Sequence, residues 1–125
     1  MKSVFTPSAP TPAGHYSQAI VHDGLIFISG QLSVDPSTGE IRNGPIEEQT
    51  RMVLQNLAAI LEEASSDMNH VLKVTIYLSD INLWGAVDEV YAEAFGDHRP
   101  ARAIVPSREL HHGCLIELEA VAAAI

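Results

Sequence analysis

The chain is poor in cysteine, in basic residues and in long apolar runs. Its only cysteine is Cys114, so no intrachain disulfide can form and a reducing compartment is the natural setting. Seven basic side chains stand against 16 acidic ones, and the formal net charge of −9 opposes nucleic-acid backbones and anionic membranes. No stretch approaches the roughly 20 apolar residues of a membrane span, and prolines interrupt the N-terminus before a signal peptide could develop. These absences predict a soluble, cytoplasmic protein that binds neither nucleic acid nor membrane.

The composition of the 125 residues predicts one domain, residues 1–125, with a core large enough to fold without disulfides or metal. Hydrophobic residues make up 46% of the chain, an ordinary fraction, but charged residues make up only 18%. Because about 25% charged residues is typical, fewer charges are left to cover the outside. Part of the surface is therefore expected to be a subunit interface.

The periodicity of apolar residues predicts the element order β-β-(β)-α-β-α-β-β. The expected strands cover residues 17–22, 25–29, 40–41, 71–78, 101–105 and 115–123. Asp23-Gly24 is typical of a tight hairpin, and residues 1–14 are expected to be extended without a strand. The first helix has Pro45 at its first position and ends at Ser65 and Ser66, and Asn82 is expected to cap the second, which Gly96 stops.

These elements predict an α+β fold of two layers, in which two helices pack on one face of a mixed sheet. Both alternating sets of residues 25–29 are apolar, so the second face also requires burial, and closed oligomerisation with ligand clefts between subunits is the simplest solution. Residues 71–78 are expected to alternate strictly between the two faces. One set is Leu72, Val74, Ile76 and Leu78, and the other is Val71, Lys73, Thr75 and Tyr77.

Two charged residues stand in apolar strands near the end of the chain, Arg102 and Glu117. Burial of either charge is expensive unless something opposes it. An arginine fork fits a planar carboxylate, and a nearby acid can move protons or hold a water molecule. The pattern predicts a site for a small carboxylate-bearing substrate, with an Arg102–Glu117 ion pair between neighbouring strands as the alternative. Glu119 lies on the same side of its strand as Glu117, so alternation does not separate the two acids.

The segment His111-His112-Gly113-Cys114 raises the question of a metal site. Adjacent histidines in an extended segment are expected to point apart, and the sequence offers no second ligand cluster. We therefore expect a polar loop without metal. Cys114 is expected to be a small buried strand residue.

Short motifs also follow one another along nearly the whole chain. They are Gly14-His15-Tyr16-Ser17-Gln18-Ala19, Ile28-Ser29-Gly30-Gln31, Gly39-Glu40, residues 50–61, Val74-Thr75-Ile76-Tyr77-Leu78, Asp80-Ile81-Asn82, Pro100-Ala101-Arg102-Ala103 and Ile116-Glu117-Leu118-Glu119-Ala120. Each motif is weak alone, but the ordered set resembles the reactive intermediate deaminase family, RidA/YjgF.

This resemblance implies a chorismate-mutase-like subunit assembled as a homotrimer, with active sites in the clefts between subunits. It implies hydrolysis of enamines and imines, such as 2-aminoacrylate and 2-iminobutanoate, to 2-keto acids and ammonia, without a cofactor or a metal. The alternative is a non-catalytic trimer that binds small carboxylates or is associated with stress. Endoribonuclease activity, known for some relatives, is disfavoured by the acidic charge and by the absence of paired catalytic histidines.

The resemblance also implies roles for individual residues. Arg102 matches the arginine that holds the substrate carboxylate, its guanidinium free in an inter-subunit crevice. Glu117 matches the acid that positions the attacking water. Tyr16 and Ser29 match residues that line the pocket, and Asn82 matches a further pocket-side position.

Two positions depart from the family pattern. Ile104 falls at a substrate-binding position where many members carry cysteine, and isoleucine can serve there if the residue acts through its backbone N–H. His15 replaces the proline common before the tyrosine and alters the mouth of the pocket. These departures preserve the general reaction and leave the preferred substrate open.

Overall fold

A mixed sheet carries both helices on one of its faces in the computed structural model, which describes residues 1–125. The strands are β1 (Lys2–Val4), β2 (Ala19–His22), β3 (Leu25–Gln31), β4 (Val71–Leu78), β5 (Ala101–Pro106) and β6 (Ile116–Ala123), and the helices are α1 (Ile46–Glu63) and α2 (Trp84–Phe95). The strand order is β1-β2-β3-β6-β4-β5, and only β4 and β5 run parallel. The predicted two-layer α+β fold is confirmed.

Local sequence signals account for the hairpin and the first helix. Asp23 and Gly24 have φ angles of 50° and 77°, the left-handed pair that a tight two-residue turn requires. Pro45 precedes α1 as its N-cap instead of being its first helical residue, with ψ at 154°. Glu47 and Glu48 occupy the first turn, where the helix dipole favours acids.

The core lies between the sheet and the two helices. One face of α1 is buried, and it packs on β3, β6 and α2. The fully buried side chains of this layer include Val53, Leu57, Ile60 and Leu61 of α1 and Ile76 of β4. A truncation such as Leu57→Ala at such a position typically costs about 2–5 kcal/mol, so this layer makes a firm base for the sheet.

The expected strict alternation along residues 71–78 is wrong at its beginning. The pairing of β4 with β6 shifts between Val71 and Lys73, so one extra residue interrupts the ladder. Val71 is buried and Leu72 is 47% exposed, opposite to the prediction. From Val74 onward the predicted alternation holds.

Four smaller differences concern chain segments near the ends of elements. Lys2–Val4 pairs with β2 as a strand that was not expected, because only Val4 is buried in it. Residues 40–41 form a single bridge, Val34 to Ile41, and not a strand. Asn82 does not cap α2, whose N-cap is Leu83 without a side-chain bond; Asp80 caps the 3₁₀ turn Ile81–Leu83 before it, accepting from the Asn82 N–H at 2.9 Å. Cys114 is buried as expected, but it ends a 3₁₀ turn and lies outside β6.

The face of the sheet opposite the helices remains partly apolar. Phe27 of β3 is 46% exposed, and its register partner Val121 of β6 lies on the same face. Thr75 and Glu119 are paired on this face across β4 and β6. Neither helix combines the length and apolar content that a membrane crossing needs.

Candidate active site

A cavity of about 810 Å³ opens on the side of the sheet away from the helices, beside β3 and β6. Its lining includes Tyr16, Ser29, Gly30, Asp35, His111, His112, Glu117 and Glu119. The structure thus brings together three residues that the sequence predicted for the site, namely Tyr16, Ser29 and Glu117.

A β-bulge shapes the floor of this cavity. Ile28 pairs with Ala120 and Gln31 pairs with Leu118, so Ser29 and Gly30 together stand opposite a single residue of β6. The Ser29 hydroxyl donates to the Ser17 carbonyl at 2.6 Å. That bond connects the bulge to the preceding loop. Because the hydroxyl proton is engaged in it, Ser29 can only accept a hydrogen bond from a ligand.

Glu117 is the half-buried acid of the cavity. Burial raises the pKa of its carboxyl above the ordinary value, the neighbouring Glu119 raises it further, and His111 opposes both effects by lowering it. Its carboxylate forms no hydrogen bond to another residue. An acid with these properties is free to bind a water molecule and to exchange a proton with it.

Glu119 differs from Glu117 because it has a partner across the strands. The Tyr77 hydroxyl donates to Glu119 Oε1 at 2.8 Å, and this bond to a carboxylate raises the pKa of Tyr77. The structure therefore separates two acids that strand alternation left equivalent, and Glu117 is the one without a partner.

His111 and His112 lie in a 3₁₀ turn at the cavity wall, and the prediction that they point apart is wrong. Their rings stack with centroids 3.7 Å apart and an angle of 20° between the planes. The turn, with His112 at a φ of 62°, replaces the extended backbone that alternation assumed. No group of three or more His, Cys, Asp or Glu side chains is placed to hold a metal ion.

Arg102 lies on the opposite face of the sheet from Glu117. It pairs with Val74 in the β4–β5 ladder, on the side covered by the helices, whereas Glu117 pairs with Tyr77 on the open side. The alternative of an Arg102–Glu117 ion pair is therefore wrong. The guanidinium is not free either, because its Nη1 donates to Asp88 Oδ1 of α2 at 2.9 Å.

The predicted site residues consequently fall into two groups within one protomer. Tyr16, Ser29 and Glu117 line the cavity, whereas Arg102, Ile104 and Asn82 do not. Ile104 packs against the edge of the core on β5, and Asn82 is exposed in the turn before α2.

Residues 6–124 match the family described as Endoribonuclease L-PSP. The chain belongs to this family. It is similar to a RutC family protein of Pyrococcus abyssi, with 50% identity over 119 residues that span 95% of this chain and 94% of the relative. It is also similar to the 2-iminobutanoate/2-iminopropanoate deaminase of Rattus norvegicus, with 41% identity over 121 residues that span 97% of this chain and 88% of the relative.

Solved structures of the family share the fold over nearly the full length of both chains. RidA from an Antarctic Psychrobacter has a TM-score of 0.95 at 34% identity, covering 98% of this chain and 99% of that one. TdcF of E. coli, solved with bound serine, has a TM-score of 0.94 at 32% identity, covering 98% of each chain. These relatives confirm the resemblance to RidA/YjgF that the ordered motifs indicated.

Sequence reasoning missed one buried residue that shapes the site of this Rid protein. Gln18 accepts the Thr6 N–H at 2.7 Å, and its amide donates to the carbonyls of Thr6 and Pro10 at 3.0 Å each. These bonds hold the N-terminal segment beside the cavity, where Pro10 forms part of the wall. The signal was present, since a polar residue one position before an apolar strand needs partners if it is buried.

Proposed function

We propose that this Rid protein hydrolyses reactive enamines and imines of small 2-amino acids, of the 2-aminoacrylate and 2-iminobutanoate type, to 2-keto acids and ammonia. The observation that carries the proposal is Glu117, an unpartnered acid with a raised pKa beside Tyr16 and Ser29 in an open cavity. The rat relative named 2-iminobutanoate/2-iminopropanoate deaminase supports the same reaction.

In the proposed reaction Glu117 removes a proton from a water molecule as the water oxygen bonds to the imine carbon. Glu117 then returns the proton to the nitrogen of the resulting carbinolamine. Glu117 next accepts the hydroxyl proton as the carbonyl forms and the C–N bond breaks, and it passes this proton to the departing nitrogen, so one water is consumed and one ammonia and one 2-keto acid are released. Imine hydrolysis already proceeds in water. Catalysis therefore needs only a correctly positioned water molecule and a group that transfers protons, because both lower the barrier.

The substrate carboxylate needs a cation, and the lining of the cavity contains neither lysine nor arginine. We propose that a second copy supplies it within a homotrimer, so that Arg102, Ile104 through its backbone N–H, and Asn82 of one protomer face Glu117 of the next. A closed ring of head-to-tail contacts can join two different faces in this way, and it also covers the apolar sheet around Phe27.

Two other functions fit the charges of the cavity less well. A trimer that only bound small carboxylates would need the arginine more than an unpartnered acid. Cleavage of RNA, which the family's name suggests, would bring phosphates to a wall that contains Asp35, Glu117 and Glu119. The three carboxylates would repel an RNA phosphate at short range. The stacked pair of His111 and His112 is the only feature of the wall that suits RNA cleavage, and it does not outweigh this repulsion.

The test is the rate of keto-acid formation in a coupled reaction with a threonine or serine dehydratase. The protein should accelerate keto-acid appearance, and Arg102→Ala should abolish the gain. Glu117→Ala should keep its affinity for a 2-keto acid while turnover falls, whereas Glu62→Gln, which removes an exposed acid of α1 outside the cavity lining, serves as the acid control. An unchanged rate with Arg102→Ala would defeat the assignment, and equal loss of binding and turnover with Glu117→Ala would indicate a structural role.

A further inference from the structure

Helix α2 presents three side chains to Arg102 from one of its faces. Trp84, Asp88 and Tyr91 are spaced at i, i+4 and i+7, which places them in a line along the helix. The guanidinium carbon lies 4.6 Å from the centre of the Tyr91 ring and 5.4 Å from that of the Trp84 ring. Asp88 accepts from Nη1 at 2.9 Å, so two aromatic rings and one carboxylate surround the arginine.

This arrangement restricts the guanidinium without using all of its donors. The bond to Asp88 is the only hydrogen bond that the guanidinium of Arg102 makes within the chain, and its remaining N–H groups are left for a ligand. The base of the arrangement is rigid, because Tyr91 is buried and its ring lies 4.5 Å from that of Phe95. An arginine held in this way loses less conformational freedom when it binds a carboxylate.

Asp88 also has an electrostatic effect on the same group. Its side chain is 41% exposed and that of Arg102 is 20% exposed, so the pair lies at the surface of α2 and not in the core. A substrate carboxylate that bound Arg102 would meet the negative charge of Asp88 across the guanidinium. The two carboxylates would then share one positive charge.

We propose that Asp88 is a positioning residue that sets the affinity of Arg102 for carboxylates, because it holds the guanidinium and competes with the ligand for its charge. The inference rests on the proposed function, since it takes Arg102 as the carboxylate-binding group. It makes the site a weak carboxylate binder, suited to fast release of a 2-keto acid. A purely structural pair that tied the edge strand β5 to α2 would have no such effect.

The test compares Asp88→Asn with Asp88→Ala in the full-length protein, using 2-ketobutyrate as the probe. Asparagine keeps an oxygen that accepts from Nη1 but carries no charge. We expect its Kd to fall about three- to tenfold, as removal of one partly exposed like charge allows. Alanine loses both the charge and the acceptor, so its Kd should be at least about threefold higher than that of Asp88→Asn. In turnover the differences should appear in KM more than in kcat.

Glu89→Gln is the matched control, because it removes one negative charge from the exposed side of α2 next to Asp88. Its Kd should equal that of the native protein, and thermal unfolding should show that all three variants are folded. Binding that depends on Arg102 but is the same in native protein, Asp88→Asn and Asp88→Ala overturns this inference alone. Absence of any binding that depends on Arg102 overturns the proposed function and this inference together.

Discussion

Gly30 lies so close to Glu117 that a side chain at position 30 would collide with the carboxylate. A β-carbon built on Gly30 meets Glu117 Oε2 and lies 3.1 Å from Cδ. The bulge at Ser29 and Gly30 brings the backbone to this position, because it places two residues opposite one on β6. The glycine is needed for the space it leaves, since its φ is not in the left-handed region.

Gly30→Ala should therefore impair the site and spare the fold. The colliding atoms belong to the movable end of Glu117, so the carboxylate can shift at small cost to stability. A shift of about 1 Å in a reacting group lowers rates by up to about 100-fold, and we expect a loss of at least about tenfold in the coupled assay.

Gly85→Ala is the control for Gly30→Ala. Gly85 lies inside α2, and a β-carbon there meets nothing within 4 Å. Alanine at this position should preserve both activity and stability, since alanine is the better helix former. Full activity of a folded Gly30→Ala protein would show that the position of the Glu117 carboxylate does not govern the rate.

Two neighbours should shift the pKa of Glu117 in opposite directions. The charge of Glu119 raises it, so Glu119→Gln should lower it, whereas His111 lowers it, so His111→Ala should raise it. Because the charged form of Glu117 accepts the proton from water, activity should rise with pH through this pKa. The acid limb of the rate profile should move to lower pH in Glu119→Gln and to higher pH in His111→Ala.

The measurement is a ¹³C NMR titration of the Glu117 carboxyl in each variant, compared with the pH profile of kcat/KM. His70→Ala is the control, because His70 pairs with Asp67 in the turn before β4 and does not line the cavity. Shifts of the same sign in both test variants would contradict the assigned effects. A rate profile that failed to follow the titration would remove Glu117 from the role of base.

The open face of the sheet supplies a prediction about assembly. We propose that neighbouring protomers cover the sheet face around Phe27. Phe27→Asp would bury an unpaired charge in that interface, which is costly, so the trimer should be destabilised. Light scattering should give the native protein three times the 13.5 kDa mass of a protomer and the variant a smaller multiple. Gln55→Asp, on an exposed position of α1, should leave the mass unchanged. A trimeric Phe27→Asp protein would show that this face is not the interface.

Local patterns predicted most of the fold, since a hairpin at Asp23-Gly24 or a buried stripe that includes Leu57 depends on neighbours in the chain. The bulges escaped prediction because they depend on pairing between distant strands. One of them exposed Leu72, and the other placed Gly30 against Glu117. The register between paired strands decides where a bulge falls, and this register could not be predicted from the pattern of one strand alone.

The candidate site was predicted as a set of residues but not as an arrangement. Strand alternation did not distinguish Glu117 from Glu119, and only the family resemblance favoured Glu117; in the structure Tyr77 of β4 donates to Glu119 and leaves Glu117 without a partner. The line of residues that includes Trp84 and Asp88 has a readable helical spacing, but nothing in the sequence identified Arg102 as their partner. Contacts of this kind join residues of different elements, and the residue types alone do not show which side chains will meet.

The opposite placement of Arg102 and Glu117 gives a direct test of a site shared between protomers. Arg102→Ala keeps Glu117, and Glu117→Ala keeps Arg102, so each variant alone should be inactive. In trimers formed by co-expression of the two in equal amounts, about a quarter of the inter-subunit sites should contain both native residues. Activity should return to about that fraction of the native rate. Mixing Arg102→Ala with the double variant Arg102→Ala/Glu117→Ala should restore none, because no site then contains both residues. Failure of the first mixture to gain activity, with mixed trimers demonstrated by mass spectrometry, would mean that the two residues do not act together on one substrate.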